Sequence, residues 1–387
     1  MPLLIFAAFR IVDAVFFVVA MRHQPALGAV NLRGLFIYDP PMPAAPGYLT
    51  SATNWDGQWY QQIAMHGYPH ELPTATSGPA AQSAWAFYPL FPAVVRLVMI
   101  LTGSGFPLAA VLVSTTAGAA ATVLLYRMVM RTGGPWAALV AVVALCAWPA
   151  GPVLQVAYTE SLALLLILIC LQLLGRGRYG WLMVGSVLLG LVRAVSLPLA
   201  LVIALHGVQR WRRRAHEPFG TAERWWCGAA AAVAGLSFAI WPAVAAIVTG
   251  QANAYTRTQT GWHGRTDTGA WPSWFSHLFP PDFRGVGGML ILAVALVLAL
   301  VPSARRWGTE LRLWGPVYVL YLLAATRPIP SIARFLVLVG LPWVPAPVRP
   351  GRTAAIATIA LTVLVGLVLQ WLWVREYYVD AGRVGYP

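Results

Sequence analysis

Long, unbroken apolar runs separated by polar segments fill most of this 387-residue chain. They fall at about 3–21, 85–102, 107–129, 135–150, 156–175, 180–193, 195–209, 224–249, 286–303, 312–326, 333–347 and 353–374. The runs are continuous and do not alternate, so they predict helices and not barrel strands. Several are only 14–16 residues long, below the ~20 that a ~30 Å hydrocarbon core requires. Those are expected to be tilted, broken or re-entrant, with irregular backbone facing protein or a water-filled cavity. The 85–102 run opens Trp85-Ala86-Phe87-Tyr88-Pro89-Leu90-Phe91-Pro92, and its prolines and aromatics suit an interfacial or re-entrant helix. The pattern predicts an all-α polytopic membrane protein, a single domain over 1–387. It has about 11 membrane segments plus this interfacial helix, and residues 2–21 form an uncleaved first helix.

Composition agrees: 59% of residues are hydrophobic and 10% charged, against roughly 45–50% and ~25% in soluble domains. A Rossmann domain, a sandwich and a disordered hub are excluded. All 26 basic residues are Arg, and the net charge is +14. Most of these Arg flank apolar runs, so they set orientation and do not mark nucleic-acid binding. One topology puts Arg127/Arg131, Arg176/Arg178, Arg210–Arg214, Arg305/Arg306/Arg312 and Arg349/Arg352 in the cytoplasm of a plasma-membrane protein. The other face then carries a large first extracytoplasmic loop, 22–84, and a second, 250–285. Asp39, Asp56, Glu71, Asp267, Asp282, Glu376 and Asp380 fall on that face. Cys146, Cys170 and Cys227 sit in apolar stretches without metal-ligand spacing and read as small core residues.

Five stretches carry candidate chemistry. In Trp55-Asp56-Gly57-Gln58-Trp59-Tyr60-Gln61-Gln62-Ile63-Ala64-Met65-His66-Gly67-Tyr68, Trp59 and Ile63 share a helix face. Asp56 is either a cap at the helix start or a carboxylate that takes a proton from a hydroxyl, and aromatics such as Trp55, Trp59, Tyr60 and Tyr68 pack on sugar rings. Glu160, opening an apolar run, either complements the helix dipole or faces a polar site. Arg193 lies between two short apolar runs, where an intramembrane Arg is a functional candidate or half of an ion pair with Glu160 or Asp13. Arg334 enters an apolar run from the outer turn and either snorkels to the interface or holds an anionic headgroup. Tyr255 to Arg265, with Gln259, Trp262 and His263, mixes aromatics and hydrogen-bonding groups as a sugar subsite would. Arg10 and Asp13 have the spacing of an i,i+3 ion pair. His66 and His70 are interrupted by Pro69, and no metal site emerges.

The first stretch resembles the W-D-x-x-x-[FY]-x-x-I-A-x-x-G-Y element of the PIG-V mannosyltransferases, relatives of GPI mannosyltransferase 2. Phe87-Tyr88-Pro89-Leu90-Phe91-Pro92 with Arg96, then Tyr158-Thr159-Glu160-Ser161, Arg193, Gln259–His263 and Arg334 resemble that family's later elements in order, from about residue 50 to 345. The Lys-free, Arg-rich composition suggests a bacterial member. The resemblance implies a GT-C glycosyltransferase fold and an inverting transfer of mannose. The donor is polyprenyl-phosphate mannose, and the acceptor is a hydroxyl of a lipid-linked or envelope glycan. Asp56 inherits the catalytic carboxylate role; Glu160, Arg193 and Arg334 inherit proximity to the site. No cofactor is firmly implied, a divalent cation (Mg or Mn) being the one left open. The partners expected are the donor lipid, a glycolipid or glycan acceptor and membrane lipids, and no nucleic acid. The rival readings are a transporter or lipid flippase, whose path the intramembrane charges would line, and a non-catalytic scaffold. The absence of a visible repeat speaks against a transporter.

Overall fold

A computed structural model describes residues 1–26, 41–73, 82–263, 283–327, 331–340 and 352–379. Among them the regular structure is helical, without β-strands. In chain order the helices are α1 (Pro2–Met21), α2 (Tyr48–Ser51), α3 (Asp56–His66), α4 (Leu90–Thr102) and α5 (Phe106–Cys146). There follow α6 (Glu160–Gly175), α7 (Tyr179–Gly190), α8 (Ser196–Arg212), α9 (Thr221–Thr249) and α10 (Ala254–His263). The last are α11 (Phe283–Leu300), α12 (Thr309–Ala325), α13 (Ile332–Phe335) and α14 (Arg352–Leu372).

Four helices among the described residues are long and apolar enough to cross a membrane: Pro2–Met21, Phe106–Cys146, Thr221–Thr249 and Arg352–Glu376. Shorter apolar helices accompany them at Leu90–Thr102, Glu160–Gly175, Tyr179–Gly190 and Val286–Leu298. The two runs at 107–129 and 135–150 are two helices within the span α5, separated by a break at Gly134, whose φ of 78° and ψ of −178° are not helical and which glycine adopts without the steric cost of a Cβ. Pro135 follows and withholds the backbone donor that would continue the ladder. The 333–347 run is no spanning helix in its described part: α13 has four residues and passes into a 3-10 turn, Leu336–Val339.

Of the short apolar helices α6 and α7, α6 is enclosed, whereas α7 is buried on one face and exposes Trp181 and Val184 on the other. α6 spans 16 residues and α7 spans 12, roughly 24 and 18 Å at 1.5 Å per residue. Leu164, Ile167, Leu168, Cys170 and Leu171 of α6 are fully buried, so its length need not match a lipid core. α1 shows the converse pattern, with Leu4, Ile11 and Val15 exposed while Phe6, Arg10, Asp13 and Phe17 are buried. Polar in and apolar out is the arrangement of a helix facing lipid. Its Arg10 pairs with Asp13 at 2.8 Å and donates to the Gly151 carbonyl at 2.5 Å. Gln370 of α14 donates to the carbonyls of Cys146 and Trp148 at 2.7 and 3.0 Å. Backbone acceptors freed where α5 ends are thus met by side chains from two other helices.

The Arg-rich turns gather at one end of the bundle. Thr132 Oγ1 donates to the Arg306 carbonyl at 2.7 Å, Gly175 lies against the Glu310 carboxyl, and Glu223 receives Arg210 at 3.0 Å and Tyr179 at 3.3 Å. The other end holds the start of α6, the α7–α8 turn and α13.

Candidate functional site

Asp56 owes its position to two local constraints. Trp55, just before it, has φ 58° and ψ −114°, a conformation costing a non-glycine residue on the order of 1–3 kcal/mol. Its indole is buried in the main core, which holds the backbone there. Gly57 lies against the segment leading into α6: a Cβ at this position would stand 3.2 Å from the Ala157 Cβ. The Ala157 N–H donates to the Ala52 carbonyl at 2.9 Å in the same contact. α3 and α6 therefore begin side by side, each opening with its carboxylate, Asp56 and Glu160. No side chain caps α3, so the capping reading of Asp56 is not what the geometry shows.

Two arginines complete the group. Arg193 sits at the tip of the α7–α8 turn, where Leu90 N–H binds the Leu191 carbonyl at 2.9 Å and Tyr321 Oη donates to the Ala194 carbonyl at 2.5 Å. Arg334 lies on α13, which with the 3-10 turn after it makes a strap pinned by three aromatic donors: Trp148 to Ala333 at 2.6 Å, Tyr318 to Phe335 at 3.2 Å and Trp314 to Leu338 at 2.7 Å.

The four charges form a chain of alternating sign. Arg334 Nη1 donates to Asp56 Oδ2, and Arg334 Nε lies 3.3 Å from Glu160 Oε1. The same Glu160 oxygen accepts from Arg193 Nη1 at 2.7 Å, and that nitrogen also donates to Thr159 Oγ1 at 3.0 Å. Glu160 Oε2 is buried without a hydrogen-bond partner among the described residues. Aromatic faces shield the cations: Arg334 stands 4.7 Å from the Tyr158 ring and 5.2 Å from Phe335, and Arg193 stands 4.8 Å from Phe335. Exposure differs along the chain, 25% for the Asp56 side chain, 5% for Arg334, 0% for Glu160 and 18% for Arg193. The group is open at its two ends and closed in the middle. Arg334 is no snorkelling residue; it is buried and paired.

The sequence-selected aromatics have different fates. Trp59 stacks on Phe87 with centroids 5.6 Å apart, and Tyr60 meets Phe87 and Phe91 edge-on at 5.2 and 5.1 Å. Both are buried, so they anchor α3 to the 84–91 segment, although the Tyr60 phenol lies beside Thr159. Tyr68 packs between Trp85 and Trp241 at 4.7 and 4.6 Å, and its hydroxyl donates to the Phe87 carbonyl at 3.0 Å. Gln259 lies beside Tyr255 on α10, and the Tyr255 hydroxyl lies 3.0 Å from that of Tyr88. The side chains of Trp262 and His263, along with Asp39, Arg265, Asp267, Asp282, Arg349 and Asp380, lie outside the described residues.

Thr159, Tyr158, Phe335, Tyr318 and Tyr321 belong to the site's frame; the sequence carries Tyr158 and Thr159 only as members of the Tyr158–Ser161 element, and Tyr318 and Tyr321 carry no sequence signal. Tyr158 and Thr159 immediately precede Glu160, and Phe335 follows Arg334, so adjacency to a charged residue is the signal for Phe335. For a metal, the site offers two carboxylates, both engaged by guanidinium groups. Among the described residues no cluster of three or more His, Cys, Asp or Glu is placed to hold an ion. The described residues do not fit a dedicated divalent-cation centre. Compared with known proteins, the chain matches no family model and no curated protein.

Proposed function

We propose that the chain is an inverting glycosyltransferase of GT-C type that moves mannose from polyprenyl-phosphate mannose to a hydroxyl of a lipid-linked or envelope glycan. The observation that carries the reading is the meeting of Asp56, Glu160, Arg193 and Arg334, drawn from four distant parts of the sequence, at one end of an apolar bundle. Charges are expensive in such surroundings and mark function by default. The Arg-rich turns lie at the other end, which the positive-inside rule assigns to the cytoplasm. The site then faces the extracytoplasmic side of the plasma membrane, where lipid-linked sugars meet glycan acceptors.

In this reaction the acceptor oxygen attacks the anomeric carbon, and the bond from that carbon to the phosphate oxygen breaks with its electron pair leaving on the phosphate. The acceptor proton passes to the Asp56 carboxylate. Arg193 and Arg334 stabilise the charge on the departing polyprenyl phosphate, in a setting where preorganised donors act strongly. Arg suits this role because its planar fork pairs a phosphate bidentately and stays charged in a dry site. Glu160 holds the two guanidinium groups together.

The test is transfer from radiolabelled polyprenyl-phosphate mannose in membranes carrying the full chain. A mannosylated product with the anomeric configuration opposite to the donor is expected. Label that stays on the donor across a panel of glycolipid and glycan acceptors would refute the reading.

A further inference from the structure

We infer that Asp56 is an internal competitor for the anionic substrate: the carboxylate occupies Arg334 until a lipid phosphate displaces it, and only then can it act as a base. The inference rests on the glycosyltransferase reading and adds an obligatory order, donor before acceptor.

Three observations carry it. First, the Asp56 carboxylate accepts a charge-assisted bond from Arg334 Nη1. The carboxylate oxygen held in that bond is turned toward the guanidinium and not toward an acceptor hydroxyl. Second, the chain of two carboxylates and two guanidinium groups is formally neutral, so a bound phosphate adds an uncompensated negative charge unless a carboxylate gives way. The burial pattern decides which one. Glu160 is fully enclosed and would have to stay charged without water, whereas the Asp56 side chain is 25% exposed and can recover hydration as it leaves. Glu160 is thus the fixed member, its Oε1 shared between Arg193 and Arg334, and Asp56 the exchangeable one. Third, the exchange needs no movement of the frame. Trp55 and the Gly57–Ala157 contact hold the start of α3, and α13 is pinned by Trp148, Tyr318 and Trp314. A rotation of the short Asp56 side chain is enough.

An unusual consequence separates this from a simple catalytic-base role: removing the catalytic charge tightens binding of the donor's anion. The experiment measures farnesyl phosphate, a polyprenyl monophosphate, binding to the purified full chain in detergent. Variants are Asp56→Asn, Glu160→Gln and Arg334→Met, each checked for its unfolding midpoint. Asp56→Asn is expected to bind at least ~10-fold more tightly than wild type, since a hydrogen bond to a charged group is worth about that factor or more. Glu160→Gln is expected to show no such gain, because the two guanidinium groups lose the carboxylate that aligns them, and Arg334→Met is expected to lose binding. Should Arg334→Met fail to fold, Arg334→Lys, which keeps charge but not the fork, is expected to bind several-fold more weakly. Wild-type binding with no tightening in Asp56→Asn overturns the competition and leaves the glycosyltransferase reading standing. Equal tightening in Asp56→Asn and Glu160→Gln also overturns it, because net charge alone would then explain the gain. No binding by wild type or Asp56→Asn removes the glycosyltransferase reading itself.

Discussion

Replacing Glu160 with Gln tests whether the buried charge chain is held from its centre. The amide keeps the volume and one acceptor oxygen but removes the negative charge that Arg193 Nη1 meets at 2.7 Å and Arg334 Nε at 3.3 Å. Removing one partner of a buried pair costs about 3–5 kcal/mol when the other stays buried and charged. Two features place this case at the lower end. Arg334 retains Asp56, and Arg193 retains Thr159 and is 18% exposed, so it can draw water. A loss of about 3 kcal/mol is therefore expected, measured by equilibrium unfolding of the purified chain in mixed dodecylmaltoside and SDS micelles. A double-mutant cycle with Arg193→Met isolates the pair and should give a coupling of about 1–2 kcal/mol, inside the range for residues in one network. A loss below about 0.5 kcal/mol, or additive single effects, would refute the reasoning, because a charge at 0% exposure cannot be removed from two cations without cost.

Gly57→Val inserts a branched side chain where a bare Cβ would already stand 3.2 Å from Ala157; α3 should shift and transfer activity fall at least ~10-fold, as small misplacements of reacting groups do. Arg10→Met leaves Asp13 and the Gly151 carbonyl buried without their partner, and a loss of about 3 kcal/mol or more is expected in the same unfolding assay. A Cys at exposed His70 should react with a membrane-impermeant maleimide from the extracytoplasmic side and one at Arg213 should not; with Cys146, Cys170 and Cys227 buried, the parent chain should stay unlabelled, and the reverse pattern would invert the topology.

Local spacing made part of this legible. Trp59 and Ile63 foretold α3, and Arg10 with Asp13 foretold their i,i+3 pair, because both relations lie within one helix turn. Pairing of Arg193 with Glu160 was one of two options, since a buried cation needs an anion and few were present. The bond from Arg334 to Asp56 joins residues 278 positions apart and depends on tertiary placement that no period encodes. The same limit applies to Trp59 and Tyr60: an aromatic that lines a sugar site and one that fastens a helix have the same sequence signature. Apolar runs report burial from water, and an enclosed helix such as α6 satisfies that without lipid, so the pattern alone does not say which runs cross a membrane.

The claim that Asp56 performs the chemistry is tested most directly by turnover of Asp56→Asn. Purified wild-type and variant chains, matched for folded fraction, are given radiolabelled polyprenyl-phosphate mannose and the acceptor on which wild type is active. Loss of the base should lower transfer at least ~10²–10⁴-fold, while the variant unfolds at or near the wild-type midpoint. Transfer at the wild-type rate by a folded Asp56→Asn chain would contradict the account and leave Asp56 as the structural partner of Arg334.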